Sequence, residues 1–342
     1  MSRARDFADL AGSADAGGLT GRNVVVNGSF AISQRGTSFS APNGTYTLDR
    51  MRCAQANSAD TISQQTFTAG QTDVPGSPKN YLRFAFGSAT ANRVLETRIE
   101  DVYTLSGQSI TLSFYAKASA AHTSTIEMTQ SFGSGGSSAV AFGTQSYNIT
   151  TSWQRFEFTL SCPSISGKTI GAGNYLSAAF IRSLSAGPSI NVDIALLQLE
   201  VGEQATSFEH RSFGDELARC QRYFERFKRS YSEMGQSSSA DATLWAGCSR
   251  SGNSGNNQGV MRYTRKRNNP TLSVSSATHI NSIFPISPFN TSLSGFALSG
   301  NAGIDSAFIN ATNNASSAPG SDCASFVYIP NDSGYLDVDA EL

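Results

Sequence analysis

Residues able to carry proton, metal or covalent chemistry are present in this chain, but they are scattered. The three histidines, His122, His210 and His279, fall in separate stretches without ligand-like spacing, and each is expected to be an ordinary surface or turn residue. Cys53, Cys162, Cys220, Cys248 and Cys323 are far apart and form no C-x-x-C pair. Zinc ribbons and dithiol redox sites are therefore unsupported, and free thiols packed as small hydrophobes are expected. Glu96 and Glu100 lie four apart on a predicted strand and share a face. A glycosidase needs its two carboxyls roughly 5–10 Å apart across a cleft, and exposed strand carboxylates account for the pattern equally well. Ser166-Gly-Lys-Thr169 mimics the end of a phosphate-binding loop, but the pattern needs glycine where Cys162 stands, so a turn is expected. H-E-x-x-H, G-x-S-x-G and G-x-G-x-x-G patterns do not occur. No catalytic residue, metal or cofactor is predicted.

Recognition chemistry remains. An exposed aromatic ring with polar side chains beside it can hold a ligand that has both apolar faces and hydroxyls. In Ile110-Thr-Leu-Ser-Phe-Tyr-Ala-Lys, period-two alternation puts Ile110, Leu112, Phe114 and Ala116 on one face of a strand. The other face carries Thr111, Ser113, Tyr115 and Lys117. Tyr115 is the candidate ligand-binding ring, with Thr111, Ser113 and Lys117 as its hydrogen-bonding neighbours. Trp153, at the start of another predicted strand, is a second candidate ring or a structural cap on the sheet edge. For Tyr115 the alternative is a cross-strand filler on a solvated face.

The elements that must position these residues are strands. Val24–Phe30, Tyr46–Cys53, Ile62–Phe67, Tyr81–Phe86, Val94–Val102, Ile110–Lys117, Thr125–Phe132, Gln145–Ile149, Trp153–Leu160, Tyr175–Arg182 and Ile190–Leu199 all read as strands bounded by turn residues. So many strands without a helix of convincing length predict a two-sheet sandwich over residues 23–213, with Phe30, Leu112, Phe114, Phe156, Phe158 and Leu196 in its core. Residues 1–22 are small and polar and are expected to form an N-terminal peg that orders only against a partner. The one helix candidate spans residues 214–227, with Asp215 and Glu216 at its start and Arg226 at its end, as the helix dipole favours. Its Tyr223–Phe227 part reads equally well as a strand. Residues 214–342 then continue as a smaller β-rich domain, with strands expected at Thr243–Cys248, Gly259–Arg265, Thr271–Ser275, Phe296–Ser299, Ala307–Ile309 and Ser325–Ile329. The fold class is all-β.

Composition narrows the function. The net charge of -1 argues against nucleic acid as the main partner. No apolar run approaches the ~20 residues needed to span a bilayer, so membrane insertion is not expected. With 39% hydrophobic residues, including 21 Phe, the chain is too apolar to be disordered. Charge is uneven near the end: residues 214–267 hold ten basic and five acidic groups, and residues 268–342 hold six acidic and no basic ones. Two readings fit equally, a solvated basic face beside an acidic edge, or homo-oligomerisation through Arg262, Arg265, Lys266 and Arg267 against the acidic stretch of a neighbouring copy. Surface ion pairs give only ~0–1 kcal/mol each, so Phe284, Phe289 and Phe296 would supply most of the association energy.

Asn23-Val-Val-Val-Asn-Gly-Ser-Phe-Ala-Ile-Ser-Gln-Arg-Gly opens the middle segment, followed by Tyr46-Thr-Leu-Asp-Arg-Met. Ile110–Lys117 and Thr151-Ser-Trp-Gln-Arg-Phe lie in its centre, and Ile190-Asn-Val-Asp-Ile-Ala-Leu-Leu-Gln-Leu-Glu-Val-Gly-Glu-Gln-Ala-Thr-Ser-Phe-Glu closes it. Together these stretches resemble the carbohydrate-binding-module-like jelly roll of tailed-bacteriophage virion structural proteins and tail fibres. Asp215-Glu-Leu-Ala-Arg-Cys-Gln-Arg-Tyr-Phe resembles the junction that joins such a jelly roll to a C-terminal β domain. The resemblance covers about residues 23–275. It implies a non-enzymatic virion component, a tail fibre or appendage subunit that attaches to host-surface glycan and joins other virion proteins through residues 1–22. A collar, head or tail decoration subunit without a glycan ligand is the alternative, and a polysaccharide depolymerase a further one. Cellulase-type modules often carry an acidic calcium ligand after the opening Asn-Gly-x-Phe. Here Ala31 stands there and offers no oxygen, so with Asp193 alone remaining calcium is not expected.

Overall fold

The computed structural model describes residues 21–87, 92–183, 189–228, 243–250, 256–275, 281–283, 290–297, 302–313, 324–328 and 334–342. The chain divides into two compact units with the boundary between Leu217 and Ala218, and Leu342 is counted with the first.

Twelve strands build the first unit. They are β1 (Ser38–Ser40), β2 (Thr45–Tyr46), β3 (Met51–Gln55), β4 (Thr61–Thr66), β5 (Asn80–Phe86) and β6 (Arg93–Glu100). The series continues with β7 (Ser109–Ala118), β8 (His122–Ser131), β9 (Val140–Ile149), β10 (Gln154–Ser161), β11 (Tyr175–Ser183) and β12 (Ile190–Val201). They form two six-stranded antiparallel sheets, a first in the order β1-β4-β5-β12-β7-β10 and a second in the order β2-β3-β6-β11-β8-β9. From β5 to β8 and again from β9 to β12 each strand crosses to the opposite sheet, so the apolar faces of both close on one core. This is the all-β sandwich that the alternating pattern predicts.

Leu82 and Phe84 of β5, Leu112 and Phe114 of β7, and Val192 and Ile194 of β12 fill the core from the first sheet. Leu95 of β6, Ile126 and Met128 of β8 and Phe180 of β11 meet them from the second. The Phe114 and Tyr147 rings stand edge to face at 5.5 Å. The Tyr147 hydroxyl donates to the Phe180 carbonyl at 2.6 Å, which satisfies the one polar atom that this ring brings inside. At one edge Arg93 and Asp60 form a fully buried ion pair at 3.0 Å, and Asp60 also accepts from the Gly87 N–H. Of the expected core residues, Phe30, Leu112, Phe114 and Phe158 are buried inside the sandwich, while Phe156 is a half-buried rim residue. Leu196 is buried, but in a separate cluster on the outside of the first sheet.

Val24–Phe30 is not a strand. Asn27 and Phe30 adopt left-handed φ values of 64° and 55°. The Asn27 side chain accepts from the Ile32 N–H and donates to the Ile32 and Asp49 carbonyls, taking the place of a sheet ladder. Glycine must follow, because a Cβ at position 28 would stand 2.0 Å from the Leu197 carbonyl oxygen. Tyr46–Cys53 likewise splits into β2 and β3 around Arg50, which sits at a φ of 66°.

The helix is shorter than its apolar spacing predicts. α1 spans Phe213–Gln221, with Ser212 capping its start through an Asp215 N–H to Ser212 Oγ bond of 3.2 Å. The chain then enters β13 (Phe224–Lys228), as the strand alternative for Tyr223–Phe227 anticipates. Long-range pairing with a later strand overrides local helix propensity there.

The second unit continues with β14 (Thr243–Arg250), β15 (Asn256–Arg262), β16 (Thr271–Val274), β17 (Asn281–Ile283), β18 (Asn290–Ala297), β19 (Ser306–Asn313), β20 (Ala324–Tyr328) and β21 (Tyr335–Asp339). β13-β21-β16 form a three-stranded sheet, and β14-β15-β19-β18-β17-β20 close into a barrel. Met261, Tyr263, Leu272, Leu336 and Val338 make its described core. Burial pushes the Tyr263 hydroxyl up to about 12.

The charge pattern of this unit is partly neutralised within it. Lys266 is buried, not a surface cation: its ammonium donates to Glu225 at 2.8 Å and to the Gln221 carbonyl at 2.6 Å. Arg226 makes two 2.6 Å bonds to Asp337 and lies 3.7 Å from the Tyr335 ring centre. Arg262 and Arg265 are exposed and Arg267 is half-buried. Phe284 and Phe289 lie outside the described residues, and Phe296 is described only as backbone in β18.

Candidate functional site

The outward face of the first sheet holds the site, and a bulge in β12 shapes it. Between Ala195 and Gln198 the pairing of β12 with β7 slips, and Leu196 takes a left-handed φ of 54°. Ala195 and Leu196 are thereby left on the outer face, while Leu197 and Leu199 turn into the core and Gln198 and Glu200 turn out.

Gln198 and Glu200 are nevertheless buried, because the chain after β12 folds back over them. Glu200 accepts from the Thr206 N–H at 2.8 Å and from its hydroxyl at 2.6 Å. Gln198 donates to the Ser207 carbonyl at 3.3 Å and accepts from the Glu209 N–H at 2.8 Å. The opening residues are stitched to the same segment: Asn23 N–H donates to Glu209 at 2.7 Å, and Arg211 donates to the Asn23 and Val25 carbonyls. Residues 202–211 therefore form a seam laid along the sheet. On its other flank the loop after β4 is pinned by Gln71, whose side-chain amide bonds both the N–H and the carbonyl of Val74. Val74, Ala195 and Leu196 make a small outer core against which Phe67, Tyr81, Tyr115, Trp153 and Phe208 pack.

Between loop and seam opens a cavity of about 360 Å³ lined by Pro75, Gly76, Ser113, Tyr115, Arg155, Leu196, Ser207, Phe208 and His210. Tyr115 stands between Ala195 and Arg155 in the sheet register. Arg155 is oriented from two sides, by the Thr206 carbonyl at 2.6 Å and by Glu157 at 2.9 Å. The Phe208 and His210 rings meet edge to face at 5.1 Å. Gly76 has a φ of +76°, and a Cβ there would come within 2.8 Å of His210 Nε2, so glycine leaves His210 its place. The Ser113 and Tyr115 hydroxyls are engaged by no protein group among the described residues, although Ser113 is almost wholly buried. The wall thus combines two rings with hydroxyl, guanidinium and imidazole groups, a set able to bind but without the paired nucleophile and base of a hydrolase.

The structure separates the predicted site residues. Tyr115 and Ser113 line the cavity. Thr111 does not: it is buried under the seam, donating to the Gly202 carbonyl at 2.8 Å. Lys117 lies over the Trp153 ring at 5.1 Å. Trp153 packs against Phe67 at 5.4 Å and Tyr81 at 5.6 Å, which makes it a member of the outer core beside the cavity. Arg155, Phe208 and His210 carry no sequence signal of a site, because their elements meet only in the fold. His122 is not a turn residue but opens β8, with its Nε2 buried.

Asp193 is fully committed to Arg83, with contacts of 2.7 and 2.9 Å, which withdraws it from any metal. Burial, and after it the Asp193 charge, raises the Tyr81 hydroxyl above its ordinary value of 10. On the second sheet Glu96 bonds Arg52 at 3.0 Å and Arg98 at 2.9 Å and accepts from Ser177 Oγ. Its carboxylate is a salt-bridge hub. Cys53, Cys162 and Cys220 are buried free thiols, and burial pushes Cys53 up to about 12.

No protein-family profile and no curated protein matches the sequence. Similar solved structures include carbohydrate-binding modules and parts of larger enzymes. The N-terminal cellulose-binding domain of Cellulomonas fimi β-1,4-glucanase C is 17% identical, over 39% of this chain and 88% of that one, with a TM-score of 0.29. The family 11 carbohydrate-binding module of a Clostridium thermocellum cellulosomal cellulase is 12% identical, over 50% of this chain and 98% of that one, with a TM-score of 0.31. The enzymatically active domain of tailspike protein 4 from bacteriophage CBA120 is 16% identical, over 53% of this chain but 21% of that one, with a TM-score of 0.33.

Proposed function

We propose that this chain is a non-catalytic subunit of a bacteriophage tail fibre or similar appendage, and that its sandwich binds a host-surface glycan in the cavity of the first sheet. The cavity carries the reading: a ring, Tyr115, stands beside unengaged hydroxyls and oriented nitrogen donors in one concave space. A volume of about 360 Å³ is at the small end of ligand pockets, enough for a sugar residue or two rather than a long chain. Weak single-site binding suits a multivalent appendage, because avidity multiplies it. A homotrimer assembled through the second unit, docked by residues 1–22 onto other virion proteins, belongs to the same reading.

The test is a glycan array on the full chain beside Tyr115→Ala. Loss of the ring should weaken binding about tenfold or more, given the apolar area it would cover. Binding to no host envelope sugar, or binding that persists unchanged in the variant, overturns the site. Immunogold labelling of purified particles tests the location: label at a collar or head, rather than on a fibre, favours a decoration subunit.

A further inference from the structure

We propose that the glycan taken by this cavity is acidic, a sugar carrying a carboxylate that Arg155 and His210 receive; the inference rests on the glycan reading of the same cavity. The first observation is the charge of the wall. Its ionisable lining groups are Arg155, His210 and the Tyr115 hydroxyl, and no carboxylate lines it. Glu157 does not line the cavity but pairs with one Arg155 nitrogen at 2.9 Å. The Thr206 carbonyl takes the other terminal nitrogen at 2.6 Å. These two contacts aim the guanidinium and leave it donors to spare, since each terminal guanidinium nitrogen carries two N–H groups.

The second observation is the polarity of the remaining groups. Arginine cannot accept a hydrogen bond, the Ser113 and Tyr115 hydroxyls can donate, and imidazole donates from at least one ring nitrogen. The part of the wall that Arg155 forms offers donors only and no carboxylate lines the cavity, which matches a ligand that brings acceptors there. A carboxylate offers four lone-pair sites on two oxygens and forms the stronger, charge-assisted bonds with a guanidinium. A neutral sugar would offer the remaining guanidinium N–H groups only neutral acceptors, beside the apolar walls of Pro75, Leu196 and Phe208, whereas a carboxylate would give them a charge-assisted bond.

The third observation is placement. His210 sits opposite the sheet, on the seam, and depends on the absence of a side chain at Gly76. Arg155 is tied to that seam through Thr206. The two nitrogen-bearing side chains are therefore held by one segment, whose position the buried carboxylate of Glu200 fixes. The cavity is pre-shaped for one charged group rather than for a row of sugar hydroxyls.

The test uses the full chain and a panel of uronate- and sialate-containing oligosaccharides, each paired with its methyl ester, which keeps the ring and removes the charge. The acid should bind about tenfold more tightly than its ester, as one charge-assisted pair implies. Raised salt should narrow that gap. Arg155→Gln should weaken binding of the acid far more than that of the ester and bring the ratio near one. His210→Asn, which spares the Arg155–Thr206 tie, should reduce the ratio without changing the melting temperature. Equal binding of acid and ester, or binding of neutral glycans alone, overturns the acidic class and leaves the glycan reading standing. Binding to no member of either set removes that reading and this inference together.

Discussion

The two sheets of the sandwich turn very different outer faces to their surroundings. On the second sheet, Glu96 gathers Arg52, Arg98 and Ser177, and Arg182 meets Glu127 at 3.2 Å. Its charges answer one another within the sheet. The first sheet wears an aromatic cluster, a pinned loop and a folded-back seam, and between them it keeps hydroxyls and nitrogens that the protein does not use. Charge density alone would have singled out the second face. Incomplete internal bonding singles out the first, and a ligand can gain only from groups that the fold has left unspent.

Several substitutions can break or sharpen this contrast. Glu96→Ala strips two guanidiniums of a largely buried partner and should cost about 3 kcal/mol of stability, with glycan binding unchanged. Chemical denaturation run beside the binding assay checks it, and lost binding at intact stability would erase the distinction between the faces. Glu200→Ala releases the seam and leaves the half-buried Thr206 N–H without its acceptor, at about 1 kcal/mol. Here stability and binding should fall together, because the seam forms one wall of the site. Gly76→Ala places a side chain at a left-handed φ and against His210, costing about 1 kcal/mol. Its melting temperature should drop by a few degrees, and the preference for acid over ester should shrink. The smallest effect belongs to pH. Burial, and after it the Arg93 charge, lowers the proton affinity of His122 below its ordinary value of 6.5. The unfolded chain then binds the proton more readily, so stability should decline as pH falls through that value. His122→Gln should flatten this part of the stability–pH curve, and an unaltered slope would refute the assignment.

Much of the sandwich was legible because its strands alternate cleanly. Ile110–Lys117 and Trp153–Leu160 display their buried sets residue by residue, and they pair in register from Ser109 with Ser161 to Ala116 with Gln154. The opening Asn23–Phe30 stretch deceived because its valines suggest a ladder that the Asn27 side chain replaces. Tyr115 could be picked by face, but Arg155, Phe208 and His210 could not: the cavity exists only where residues 75–76 and 207–210 meet the sheet. One clue to that cover did stand in the sequence. Gln198 and Glu200 interrupt the apolar run of β12, and polar side chains at strand positions that end up buried call for a partner segment to lie over them.

The left-handed Leu196 has a consequence for how this protein can change over time. Strand side chains alternate, so residues 193, 195, 197 and 199 would share a face if the strand ran without a slip. The extra residue resets the count, sending Leu197 and Leu199 inward while Asp193 and Ala195 stay outside. Exchanging Leu196 for another residue alters one contact. Removing it would restore plain alternation, with Leu197 and Leu199 still inward and Gln198 and Glu200 still outward, but would take away the bulge and a member of the outer core beside the cavity. The core can therefore spare this residue while the binding face cannot, and lineages that lose it are expected to keep the sandwich and give up the cavity.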